Sequence, residues 1–299
     1  MRPKQLRTIA AGLLAVCGYG LPAQAQQPSA SPWAQPPPPP LSASSGWTPG
    51  RSRSASSLES ATLYGGGAAY GVGMGIWLDA ELGVDDPALL LIPPSLLGVA
   101  VPIAAYALNH PTLPRGVPGA IATGLVIGAG EGLGIASLQM VTSEQPWGLH
   151  GLARAMAIGS TAGGVAGIAV GVLQEPSPNI SLFATSGVVW GSAIGSAFGL
   201  GLSPAGVGFH RSNNWLARGG LIGFNAGLVA SMGLATAFVP TLDQITWMWV
   251  GGGVGALVSL PVYLFYIGAG PPAKRGLVFS ATATTLGIVV GGVFGPMIK

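Results

Sequence analysis

One ionisable residue stands alone inside a long apolar run. Glu131 lies in Gly128-Ala129-Gly130-Glu131-Gly132-Leu133-Gly134. A charge at the centre of a bilayer costs roughly 2.5–3.5 kcal/mol on insertion scales, so such a residue normally faces the interior of a helix bundle and has a reason to be there. Three readings follow. Glu131 holds a proton or cation for transport, or it hydrogen-bonds a neighbouring helix through Asn225 or Gln139, or the span is shifted and it sits at the membrane interface. The flanking glycines leave room for backbone or water and do not separate these readings.

Other chemistry has little to stand on. His110, His150 and His210 fall between apolar runs and no two have metal-ligand spacing, so no metal or other cofactor is expected. Ser186 and Ser192 lie in an apolar run with no histidine to activate them. Gly71-x-Gly73-x-Gly75 lacks the strand and βαβ context of a nucleotide loop. Basic residues number 12 and form no stripe with aromatics, which removes support for nucleic-acid binding. The expectation is a protein that is not an enzyme.

The elements that must position Glu131 are apolar and long. Residues 155–174, 176–210, 219–242, 244–273 and 276–298 each contain no Asp, Glu, Lys or Arg. Runs of roughly 18 or more apolar residues read as membrane helices. Charged residues are 7% of the chain, against about 25% in soluble domains. Eight spans are assigned: 61–78, 89–108, 117–138, 155–173, 181–202, 219–239, 247–268 and 277–297. Pro93, Pro94 and Pro102 are expected to kink or break the second. A transmembrane β-barrel of the outer membrane is the rival architecture. Its strands would be about 10 residues long with alternating polarity, and these runs are longer and do not alternate.

Glycine recurs at every fourth position: Gly159, Gly163, Gly167 and Gly171; Gly187, Gly191, Gly195 and Gly199; Gly219, Gly223 and Gly227. Spacing of four places residues on one helical face. In lipid, helices associate where small residues let backbones approach. The fold class is therefore an all-α membrane protein with a tightly packed bundle and glycine-lined seams. One internal repeat suggests itself, because Arg115-Gly116 and Arg218-Gly219 are each followed after seven residues by Gly-Leu-Val.

Residues 1–25 read as a secretory signal, with Arg2, Lys4 and Arg7 ahead of an apolar stretch and Ala23-Gln24-Ala25 as the cleavage site. Cleavage there removes Cys17, the single cysteine, and with it any disulfide or thiol chemistry. Residues 26–60 are a Pro/Ser-rich tether, and 61–299 form the membrane domain. A cleaved signal leaves the amino terminus outside. Loops after odd-numbered spans then carry Arg154, Arg211, Arg218, Lys274 and Arg275, against Arg115 and Lys299 on the other side. That agrees with the excess of basic residues on the cytoplasmic face.

The sequence thus describes a non-enzymatic envelope component, structural or interactive, in a bacterial inner membrane. Its partners would be the lipid bilayer and another membrane protein or a second copy of itself. A small-solute or ion transporter or channel using Glu131 is the alternative, and an outer-membrane protein is the third reading.

Overall fold

The computed structural model describes residues 55–110, 113–204, 209–264 and 274–297. The stretch read from the sequence as a secretory signal, and nearly all of the stretch read as a Pro/Ser tether, lie outside these residues. The described chain is helical, 85% of it in helix and none in strands, which removes the β-barrel reading.

Helix α1 runs Ser57–Leu82, α2 Ile92–Leu108, α3 Val117–Thr142, α4 Gly148–Gln174 and α5 Pro178–Gly201. Then follow α6 Phe209–Ala237, α7 Leu242–Ser259, the single turn α8 Pro261–Leu264 and α9 Lys274–Phe294. Six of the apolar helical stretches are long enough to cross a membrane, from α3 to the carboxyl terminus, with α7 and α8 counted as one. Helix α2, at 17 residues, is shorter.

Local chemistry sets the boundaries. Ser56 caps α1 through a reciprocal capping box with Glu59, so the helix begins inside the stretch assigned to the tether. Pro93 and Pro94 occupy the first turn of α2, where a missing amide costs nothing, so they start the helix rather than kink it. Only Pro102 lies within it. Pro261 withholds the amide that would bond Leu257. The Leu257 carbonyl is taken instead by Leu260 N–H at 3.0 Å, and α7 gives way to α8. His150 and His210, which fall between apolar runs in the sequence, belong to the opening turns of α4 and α6.

Burial is inverted relative to a water-soluble fold. Among the buried residues of α3–α5 are Ala136, Ala157, Ala184, Ser160, Gly164, Gly167 and Gly171, whereas Leu173 is 82% and Val229 72% exposed. Large exposed apolar side chains on this scale suit a lipid environment and would aggregate in water.

The chain folds as four consecutive antiparallel hairpins: α1–α2, α3–α4, α5–α6 and α7–α9. Each hairpin packs on the next through its first helix. Helix α1 contacts α3 and α4, α3 contacts α5 and α6, and α5 contacts α7 and α9. All odd-numbered helices up to α7 are therefore parallel. At one end Arg154 of α4 pairs with Glu81 of α1, and Lys274 of α9 donates to the Pro204 carbonyl after α5. At the other, Glu59 of α1 accepts from Gly116 ahead of α3.

Candidate functional site

Inside three of the hairpins, glycine meets backbone at regular levels. A Cβ on Gly124 would meet the Gly163 carbonyl, and one on Gly128 the Gly159 carbonyl; Gly167 faces Ala120 and Gly171 faces Val117. In α5–α6 the pairs are Gly187 with Gly227, Gly191 with Gly223, Gly195 with Gly219, and Gly199 with Trp215. In α7–α9, Gly251 faces Gly287 and Gly255 faces Ala283. Each step of four along one helix is a step of four back along its partner, so the seam keeps register throughout. A carbonyl oxygen occupying the place of a Cβ is the geometry of Cα–H···O contact between helices.

Glu131 and Asn225 are not brought together. Asn225 is exposed, and its amide donates to the Leu221 carbonyl of its own helix at 3.1 Å. Glu131 is half-buried on α3, and among the described residues its carboxylate takes no hydrogen bond. Its neighbours on α3 carry the contact with α6: Gly130 lies against the Phe224 ring and Gly134 against Leu221. The alternative partner Gln139 is spent on the α3–α4 turn, donating to the Gln145 carbonyl and accepting from Trp147 N–H.

Among the described residues the buried ionisable side chains, Glu59 and Asp79, lie near opposite ends of α1, on residues not singled out from the sequence. Glu59 is 1% exposed. Its Oε1 accepts from Gly116 N–H at 2.5 Å, and its Oε2 accepts from Ser56 N–H at 2.8 Å and the Ser56 hydroxyl at 3.0 Å. Gly116 must be glycine. Its φ is 87°, and a Cβ would strike Glu175 and Pro176 in the α4–α5 turn. Buried Asn109 completes the same end. It donates to Tyr64 Oη at 3.0 Å and Ser60 Oγ at 3.4 Å and accepts from Leu113 N–H at 2.9 Å. The capping box Ser56-x-x-Glu59 was the legible signal here; the reach from Glu59 to Gly116 was not.

At the opposite end Arg154 grips Glu81 with two hydrogen bonds of 2.7 Å, and Trp77 Nε1 donates to the same carboxylate at 3.0 Å. The Arg154 hydrogen bond holds the Glu81 carboxyl below its usual value despite opposing desolvation, with Trp77 adding to the effect. Asp79, two residues before it, is 5% exposed with Oδ1 unpartnered among the described residues, and burial raises its pKa.

Recesses lie between the hairpins as well. One, of about 250 Å³, opens between α1, α3 and α5 and is lined by Thr62, Gly66, Ala122, Thr123, Ser181 and Thr185 among others. A smaller one of about 140 Å³ lies between α5, α7 and α9. Ser280 on its wall accepts from Ser259 at 2.7 Å and shares a 3.0 Å hydrogen bond with Tyr263. Among the described residues no three His, Cys, Asp or Glu side chains gather as a metal site.

The Arg115-Gly116 and Arg218-Gly219 segments are not equivalent in space. Gly116 is a left-handed cap ahead of α3, whereas Gly219 lies within α6 against Gly195. The repeat that the fold contains is the hairpin. Compared with known protein families, curated proteins and solved structures, the chain matches none.

Proposed function

We propose that this protein is a non-enzymatic, polytopic component of a bacterial inner membrane with a structural or interactive role. The observation that carries the reading is the set of glycine seams. They press backbone against backbone along the hairpins, which favours a rigid, space-filling assembly over an open polar path. In this reading eight helices cross, with the amino terminus outside. Helix α2 spans about 26 Å at 1.5 Å per residue, slightly short of a hydrocarbon layer of about 30 Å. The apolar Leu89-Leu90-Leu91 ahead of it extends the run. The acidic Asp85–Asp86 loop and Lys274 then share the cytoplasmic side, and Glu175 lies outside.

The competing reading is transport through Glu131, favoured by its place on α3 without a polar partner. Proteoliposome flux separates the two. Proton and cation flux no greater than that of empty vesicles, for wild type and Glu131→Gln alike, is the expected result. Flux in wild type that Glu131→Gln abolishes would replace the scaffold reading with the transport one. Impermeant labelling of Asp85→Cys from inside only, and of Glu175→Cys from outside only, checks the eight-span topology.

A further inference from the structure

The hairpins stack by a rule that repeats along the chain. Each first helix has a glycine that faces its own partner helix and can serve as an index: Gly67 in α1, against the Val101 side chain, and the seam glycines Gly124 in α3, Gly187 in α5 and Gly251 in α7. The residue just before an index glycine meets the residue two before the next one. Gly66 faces Ala122, a Cβ there lying 3.2 Å from the alanine Cβ. Thr123 Oγ1 lies 3.3 Å from Thr185 Oγ1. Ser186 Oγ accepts from Trp249 Nε1 at 2.8 Å. One contact is thus made three times, with such a glycine as index each time.

The rule leaves one unmatched residue at each end of the row. Counting from Gly251, the next donor is Val250, which is 46% exposed. Counting from Gly67, the unfilled receiver is Gly65, which is exposed on the wall of the recess between α1, α3 and α5 and whose added Cβ would meet nothing within 4 Å. Around Val250, Val254 and Leu257 of α7 are also exposed, at 51% and 65%. Beside Gly65, Ala61 lies exposed one turn away. Small residues on the receiving helix and branched ones on the approaching helix are complementary.

We propose that these two faces are the halves of a fourth such contact, formed between copies: α7 of one chain packs on α1 of the next, with Val250 against Gly65. Helices α1 and α7 are parallel within the chain, so copies joined in this way insert in the bilayer in the same direction. A head-to-tail contact of this kind closes into a ring about the membrane normal or grows as a row. The inference rests on the membrane reading above and extends it by naming the partner, a second copy of this chain.

The test uses full-length chains in native membranes with Cys17 replaced by Ser. One copy carries Gly65→Cys and a differently tagged copy carries Val250→Cys. Mild oxidation should yield a mixed disulfide dimer at least ten times more abundant than with Ile222→Cys, an exposed α6 position off the contact, in place of Val250→Cys. Separately, Gly65→Trp adds bulk where the single chain has space. It should fold with the wild-type helical spectrum, yet reduce the mass in nanodiscs or mild detergent to that of one chain. Wild type that is already a single chain, or a mixed dimer no stronger than the control, overturns the proposal, since lipid or the amino-terminal segment then covers the face. Such failure leaves the membrane topology intact, because the Asp85→Cys and Glu175→Cys labelling reads that independently.

Discussion

In the α5–α6 hairpin, glycine faces glycine at three successive levels, Gly187 with Gly227, Gly191 with Gly223 and Gly195 with Gly219. In the α1–α2 hairpin the glycines lie mostly on one side. Gly71 abuts the Leu97 carbonyl, and Gly75 abuts Pro93 and Pro94. None of the α2 residues is buried, whereas α5 buries Ser181, Phe183, Ala184, Ser186 and Val188. Polar contacts act at the ends of α1: Asn109 ties α2 to Tyr64 and Ser60, while Glu59 ties α1 to Gly116 ahead of α3 and Glu81 ties it to Arg154 of α4. The α5–α6 hairpin is thus held by a two-sided glycine seam, whereas α1–α2 has a one-sided seam and α1 is fastened at its ends to α2, α3 and α4 by side-chain hydrogen bonds. In lipid the first depends on small residues, and the second on buried polar groups being fully matched.

The largest effect should come from filling the two-sided seam. Gly191→Leu with Gly223→Leu places side chains where carbonyl oxygens already lie, so the helices must part. The expected loss is on the order of 3 kcal/mol, read as thermal stability in detergent. Gly73 on α1 is the contrast, because a Cβ there meets nothing within 4 Å. Gly73→Ala should stabilise by about 0.5–1 kcal/mol through backbone entropy alone. Equal responses at the two sites would erase the distinction between seam and free glycines.

A smaller loss should follow from removing the Glu59 anchor. Glu59→Ala leaves the Gly116 and Ser56 amides without their acceptor, which costs about 1–3 kcal/mol where such groups are buried. Glu59→Gln keeps one oxygen acceptor and should lose less. Melting curves of the two variants that superpose on wild type would show that α1–α2 does not depend on this anchor.

The helices were readable because each is built on a long apolar run with few charges, closed by prolines, capping residues or charges. Glycine spacing of four marked the faces that the fold pairs, although it named no partner helix. Partner and register depend on how hairpins stack, and that is set by three-dimensional approach. For this reason the role of Gly65, Gly66 and Gly67 was hidden: three adjacent glycines of one type face open space, α3 and α2 respectively. Glu131 drew attention because charge inside an apolar run is conspicuous. Glu59 did not, because it sits at the edge of the Ser-rich stretch and its contact with Gly116 spans 57 residues.

The smallest expected effect concerns the other anchor of α1, and it carries a pH signature. Glu81 has its pKa lowered by Arg154, so the ion pair stabilises the fold above the unfolded carboxyl value of 4.5 and fades as pH falls through the lower folded value. Asp79 has its pKa raised by burial, which gives the opposite sign. Its favourable contribution is complete below the unfolded value of 3.8 and is lost as pH rises through the higher folded value. On acidification from neutrality, stability should therefore rise slightly as Asp79 takes up its proton, then fall as Glu81 does. Arg154→Ala should remove the fall and leave the rise, while Asp79→Asn should remove the rise and leave the fall. Both belong to the carboxyl-terminal end of α1, so the glycine seam of α5–α6 should contribute nothing to either phase. A Gly191→Ala variant whose melting temperature shifts by the same amount at every pH would keep seam and anchor separate; one that alters either phase would mean the two devices are coupled through the bundle.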